Sequence, residues 1–202
     1  MKRHRSTGPL PETHEAVMDA THRALCEYGY ANLTMQRISD ELGKSKSLLH
    51  YHYDGKEELL VSFLEHLLDE FDRTVSTEGH EGGEETLRFT VETLLPDADC
   101  HADFDTAMLE MGMQAPYNDD FRDQFRANDA RLKDLLSRIV ADGVERGEFE
   151  EIDPERAAEH LLILLDGARG RSVVLDTDAP NDVGREAIRD FVGRITVGGD
   201  GE

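Results

Sequence analysis

The chain has 202 residues, 38% of them apolar, and a formal net charge of −22 at pH 7. That length buries a sizeable core, and no apolar run approaches the ~18 residues of a membrane span. Two cysteines in no metal or redox spacing exclude a disulfide scaffold and fit reduced thiols in the cytosol.

Pro is scarce, Trp is absent and alternating β-branched runs are missing, so the chain reads as all-α. Residues 1–11, with Lys2, Arg3, His4 and Arg5, form a flexible basic arm. They lack the apolar stretch of a secretory signal. Glu12 to Tyr28 is an amphipathic helix with Ala16, Val17, Ala20, Ala24 and Leu25 on one face, and Gly29 stops it. Thr34 caps a helix Met35–Leu42, and Gly43 ends it with positive φ. Ser45 caps Lys46–His52, and Asp54-Gly55 turns into a long helix from Lys56 to about Val75. The stretch Ser76–Glu84, with His80, is the clearest break. Glu85–Leu95 follows, then a loop with Cys100 and His101, then Phe104–Gln114. Asn118 caps a helix to Arg146, Asp153-Pro154 opens one to Leu175, and Asn181 caps the last. The total is about nine helices.

Two short helices joined by a Gly-containing turn make the helix-turn-helix pattern at Thr34–Lys56. A net charge of −22 opposes nucleic-acid binding until its distribution is read. Residues 1–60 hold eight Lys+Arg against nine Asp+Glu, and the remaining 142 hold fourteen against thirty-five. Three of the five lysines (Lys44, Lys46, Lys56) lie inside the motif. Few lysines and a dense carboxylate surface resemble a protein of a salt-loving organism; an ordinary acidic protein is the plainer reading.

Residues 12–60 resemble the DNA-binding domain of the tetracycline-repressor (TetR) family. The residues that carry the resemblance are Gly29-Tyr30, Leu33-Thr34, Ile38-Ser39, Leu42-Gly43, Ser45-Lys46 and Leu49-His50-Tyr51-His52-Tyr53, followed by Gly55-Lys56-Glu57-Glu58-Leu59-Leu60. Lys44 and Leu48 depart from the pattern. The resemblance implies an all-α protein with three parts: a flexible arm at 1–11, a three-helix DNA-binding domain at 12–56, and a helical ligand-binding and dimerisation domain at 57–202, joined through the long helix. DNA contacts are expected from Thr34, Gln36, Lys44, Ser45, Lys46, Ser47, Leu48, His50, Tyr51, His52 and Lys56, with Leu49 and Tyr53 as core. Gln suits adenine, and hydroxyl, imidazole and ammonium groups suit phosphate. His50 and His52, two apart, are badly spaced for a metal, and no cofactor is expected.

For the C-terminal part the resemblance implies an apolar effector pocket and a homodimer. Phe104, Met108, Met111, Tyr117, Phe121 and Phe125 are the pocket candidates, with Glu110 and Gln114 either orienting a ligand or facing solvent. Leu161, Leu162, Leu165, Ala168, Ile188, Phe191 and Val192 are the dimer candidates. The expected partners are double-stranded DNA carrying a palindromic operator, a second copy of the chain and a small apolar or amphipathic effector, with no membrane, in the cytoplasm. Effector entry is expected to shift the lower end of the long helix and release the operator. No nucleophile–base pair, metal cluster or phosphate loop suggests an enzyme. A ligand-independent DNA-binding regulator, and a helical carrier or enzyme, stand as the alternatives.

Overall fold

Local chemistry sets the helix ends in the computed structural model, which describes residues 11–77, 82–95 and 102–198. The basic arm with Lys2, Arg3, His4 and Arg5, the His80 stretch, and Cys100 and His101 lie outside the described residues. Nine helices are seen among the described residues: α1 (Pro11–Asn32), α2 (Met35–Leu42), α3 (Lys46–His52), α4 (Lys56–Thr77), α5 (Gly83–Leu94), α6 (Ala102–Gly112), α7 (Asp119–Glu145), α8 (Pro154–Leu175) and α9 (Ala179–Ile195). None of them is long and apolar enough to cross a membrane.

Thr34 sits extended at φ −138° and its Oγ1 accepts the Arg37 N–H at 3.2 Å, capping α2. Gly43 at φ 64° ends α2 in the left-handed region. Asn118 caps α7 by accepting the Phe121 N–H at 3.1 Å, and Asp153 caps α8 by accepting from Glu155 and Arg156. Gly29 breaks α1 as expected, its φ 65° and ψ 167° stopping the first helical run before a short turn of helix continues to Asn32. Two expectations need correcting. Ser45 precedes α3 without a side-chain cap bond. Asn181 does not cap α9; it is buried within it and donates to Asp178 Oδ1 at 3.0 Å.

The apolar faces close on two cores. The first joins Val17, Met18, Leu25, Ile38, Leu49 and Tyr53 of the N-terminal helices to Leu59, Leu60 and Phe63 of α4. It continues into Ala107 and Met111 of α6 and Phe121 of α7. The core beneath the helix-turn-helix therefore runs well past residue 56. The second core packs α5, α7, α8 and α9 through Leu87, Val91, Leu136, Val140, Ala158, Leu161, Leu165, Ile188 and Val192.

Phe149 plugs this second core from the loop after α7, and a fully buried Phe is worth roughly 1.5–3 kcal/mol. Its seat exists because residue 143 is glycine: a Cβ there would lie 2.3 Å from the Phe149 ring. The same loop pairs with the end of α9, Glu150 N–H donating to the Ile195 carbonyl at 2.7 Å and Val197 N–H to the Glu148 carbonyl at 2.8 Å.

Candidate nucleic-acid interface and the cavity behind it

α3 is held to the head by one buried residue, Leu49, with Tyr53 buried just beyond its end. Everything else on the helix is open or half-open. Lys44, Ser45, Lys46, Ser47, His50 and Tyr51 are exposed, Tyr51 at 73%, and Leu48 and His52 are half-buried. A seven-residue helix with this one-sided anchorage presents a strip of hydroxyl, imidazole, phenol and ammonium groups. That strip suits phosphate oxygens and base edges in a major groove. His52 Nδ1 is buried without a hydrogen-bond partner. Thr34 and Gln36 are exposed beside the strip, but both are already engaged. Thr34 Oγ1 holds its cap, and Gln36 Nε2 donates to Asp40 Oδ1 at 2.8 Å.

Lys56 differs most from its expected place. Its ammonium lies 4.3 Å from the centre of the Tyr30 ring and donates to the Tyr30 carbonyl at 3.3 Å. The side chain is therefore turned inward onto α1 and away from the outer strip where its DNA contact was expected. Arg37 is likewise folded over the Tyr28 ring at 4.3 Å. Lys44 and Lys46 are the lysines left on the outer strip.

Under α3, His14 Nδ1 meets the Tyr53 hydroxyl at 3.2 Å, and the His14 and His66 rings pack edge to face at 5.5 Å. Burial first, and the neighbouring His66 second, lower the pKa of His14 below its ordinary value. Burial raises that of Tyr53.

Behind the head, α5, α6, α7 and α8 border a half-open cavity of about 480 Å³. Its walls are Thr93 and Leu94; Phe104, Asp105, Met108, Leu109 and Gly112; Phe125; and Asp166, Arg169, Gly170 and Val173. Of the six pocket candidates, Phe104, Met108 and Phe125 line it. Met111 and Phe121 are fully buried in the first core instead, and Tyr117 is 88% exposed. The helical period that placed all six on apolar positions could not say which core each would enter.

Sequence reasoning missed the cavity's charged residues: Asp105, Asp166 and Arg169. Their signal was a charge on an otherwise apolar register of α6 and α8. Arg169 donates to the Leu94 carbonyl, and burial lowers its pKa against the opposing pull of Asp105 and Asp166. Asp166 is exposed at the mouth of the cavity, yet the walls beside its carboxyl raise that pKa more than Arg169 lowers it. Glu110 faces neither cavity nor open solvent; its Oε2 accepts the Tyr30 backbone N–H at 2.9 Å. Among the described residues no three His, Cys, Asp or Glu side chains are placed to hold a metal ion.

The dimer candidates also need correcting. Leu161, Leu162, Leu165, Ile188 and Val192 are buried in the subunit's own second core; Ala168 is buried there too, but its edge lines a shallow groove between α8 and α9. Phe191 alone of that set stays half-buried, beside a groove with His160, Ile163, Leu164, Ala187 and Arg194. The apolar side chains left outward on α8 and α9 are Ile163, Val174, Leu175 and Val183, at 55–75% exposure.

Comparison with known proteins agrees with this geometry. Residues 17–63 match the family described as bacterial regulatory proteins, tetR family. Residues 83–197 match the family described as BetI-type transcriptional repressor, C-terminal. A TetR transcription regulator from Haloarcula marismortui is 37% identical, with 93% of this chain and 100% of that one superposed at a TM-score of 0.83. A regulator from Saccharomonospora viridis, solved in complex with choline, is 24% identical over 91% of this chain and 96% of its own, TM-score 0.75. The regulator BetI of Brucella suis is 24% identical over 92% of each chain.

Proposed function

The chain belongs to the TetR family of transcriptional regulators, and we propose that it is a homodimeric repressor that releases a palindromic operator when a small organic cation enters the α5–α8 cavity. A ligand-responsive, DNA-binding regulator is what the family match and the fold establish. The effector class is the finer step, and the lining of the cavity supports it.

Two carboxylates, Asp105 and Asp166, face one guanidinium, Arg169, among the side chains that line the space. The charged groups of the wall thus sum to one negative charge. Phe104 and Phe125 supply aromatic faces, and Met108 a soft polarizable wall. Aromatic faces with a net negative rim favour a weakly hydrated cation, where each cation–π contact is worth roughly 0.5–2 kcal/mol. Choline, the ligand held by the S. viridis regulator, is the probe of this class. The raised pKa of Asp166 fits the same role: its charge is costly in the empty cavity and is offset by a bound cation.

A second copy of the chain is the proposed cover for the outward face of α8 and α9, where Ile163, Val183 and Leu175 surround a shallow apolar groove. Two copies would set two α3 strips about one DNA turn apart, roughly 34–36 Å. We assign the protein no catalytic step, because the groups that meet in the cavity bind rather than react. Its work on DNA places it in the cytoplasm.

The test is fluorescence anisotropy of a duplex selected by the protein from a randomised pool, titrated with and without choline. Operator affinity should fall at least about fivefold when choline saturates, the lower end of ordinary allosteric coupling. Choline that neither binds by calorimetry nor shifts the DNA curve would rule out the organic-cation effector.

A further inference from the structure

We propose that Glu110 is the positioning residue through which the cavity reaches the DNA-binding helices, by holding the broken end of α1; this rests on the reading of the cavity as the effector site. α6 has two faces. Asp105, Met108 and Leu109 line the cavity, while Ala107 and Met111, both fully buried, belong to the core beneath the helix-turn-helix. No residue of α4 lines the cavity. An occupant therefore touches α6 before it touches the long helix on which the switch was expected to turn.

From α6 the head is reached through the shared apolar core, where the Phe104 ring meets His22 of α1 at 4.7 Å and Phe63 of α4 at 6.3 Å. It is also reached through the Glu110 carboxylate, which adds a directional bond to the backbone. Gly29, at φ 65° and ψ 167°, interrupts α1 and takes the Tyr30 N–H out of the helical ladder. Glu110 Oε2 accepts that N–H at 2.9 Å, a charge-assisted bond on a half-buried segment. The carboxylate is in contact with the kink: a Cβ on residue 29 would sit 3.4 Å from the same oxygen. Tyr30 then anchors the head. Its carbonyl accepts from Lys56 Nζ at 3.3 Å and from Leu33 N–H at 3.3 Å, and its ring lies under the Lys56 ammonium. The next residue after Leu33 is Thr34, the cap of α2.

The carboxylate thus fixes where α1 ends, where α4 begins and how the chain enters the helix-turn-helix. A displacement of α6 by an occupant moves Glu110 away from Tyr30, and the half-buried N–H loses its acceptor. The kinked end of α1 then relaxes together with the start of α2. Gly29 is the hinge that allows this, and Glu110 is the latch that prevents it when the cavity is empty.

The test is a double-mutant cycle on operator affinity with the full-length protein. Met108→Trp fills the cavity and stands in for an occupant, and Glu110→Ala removes the latch. Choline binding is measured separately by calorimetry for the wild type and for Glu110→Ala. With Glu110 intact, Met108→Trp should weaken operator binding about tenfold; with Glu110→Ala it should change it less than about threefold, within ordinary coupling magnitudes. Glu110→Gln keeps an oxygen acceptor and should restore most of the coupling. Equal effects of Met108→Trp in both backgrounds, or no effect in either, overturn the latch. If choline fails to bind the wild type while the cycle remains non-additive, the effector class is wrong and the latch stands.

Discussion

The Lys56 ammonium lies 4.3 Å from the Tyr30 ring centre and donates to the carbonyl of the same residue at 3.3 Å. A lysine that opens α4, in a motif that supplies most of the chain's lysines, is thereby turned into the protein. The distinction is measurable. A lysine on phosphate releases a counterion, so its removal lowers the slope of log affinity against log salt by about 0.9. Lys44→Ala and Lys46→Ala should each flatten that slope, because both side chains stand exposed on the strip. Lys56→Ala should lower affinity with the slope unchanged. A flattened slope for Lys56→Ala would return it to the DNA surface. The wild-type slope itself should be shallow between 1 and 3 M KCl, where the Debye length is about 3 Å or less and the distant carboxylates are screened. A steep loss of binding over that range contradicts the high-salt reading of the composition.

Close helix approaches carry the second core. A Cβ on Gly184 of α9 would lie 2.5 Å from the Ala168 Cβ on α8, and one on Gly143 would lie 2.3 Å from the Phe149 ring. Gly184→Ala and Gly143→Ala should each destabilise the fold by about 1–3 kcal/mol, the ordinary cost of overpacking. Urea unfolding monitored by circular dichroism measures this. Phe149→Leu should recover part of the Gly143→Ala loss, because the added methyl then meets a smaller side chain. No recovery would locate the strain elsewhere.

These approaches show how far a sequence reaches. Thr34, Gly43, Asn118 and Asp153 were legible as helix ends because capping is settled within three or four residues. The outward strip of α3 was legible for the same reason, since one helix of seven residues has few ways to face. Leu161, Leu165 and Ile188 were equally legible as apolar, but periodicity does not say whether the covering surface belongs to the same chain or to another copy. Met111 and Phe121 failed as pocket residues on the same ground. Lys56 and Glu110 were beyond local reasoning altogether: their partner is Tyr30, which lies 26 residues from one and 80 from the other.

Asp166 sets function against stability. Its pKa is raised, first by burial, so the charged form is disfavoured in the folded chain. A carboxyl with a raised folded pKa stabilises most below its unfolded value, and that contribution is lost as pH rises through the folded pKa. At neutral pH the group is therefore a cost. Asp166→Asn should give a Tm at pH 7 no lower than the wild type and should weaken choline binding about threefold, the range of a charge partner lost at a partly exposed rim. Thermal melts and calorimetry read the two effects separately. A lower Tm together with unchanged choline affinity would remove Asp166 from the proposed cation site.

His14 gives the head its own pH dependence, with the opposite sign. Its pKa is lowered from 6.5 by burial and by His66, against opposing contributions from Glu65, Glu15 and Asp69. The unfolded chain therefore binds a proton more readily than the folded one just below pH 6.5, so stability is complete above that value and falls as pH drops toward the folded pKa. Protonation would also place a cation beside His66 and fix Nδ1 as a donor toward the Tyr53 hydroxyl, 3.2 Å away at the end of α3. His14→Gln keeps a polar partner for Tyr53 without titrating. It should flatten the fall in Tm, and in operator affinity, on acidification from pH 7.5 to 5.5. An unchanged acid profile for His14→Gln would mean that the sensitivity belongs to other groups of the head.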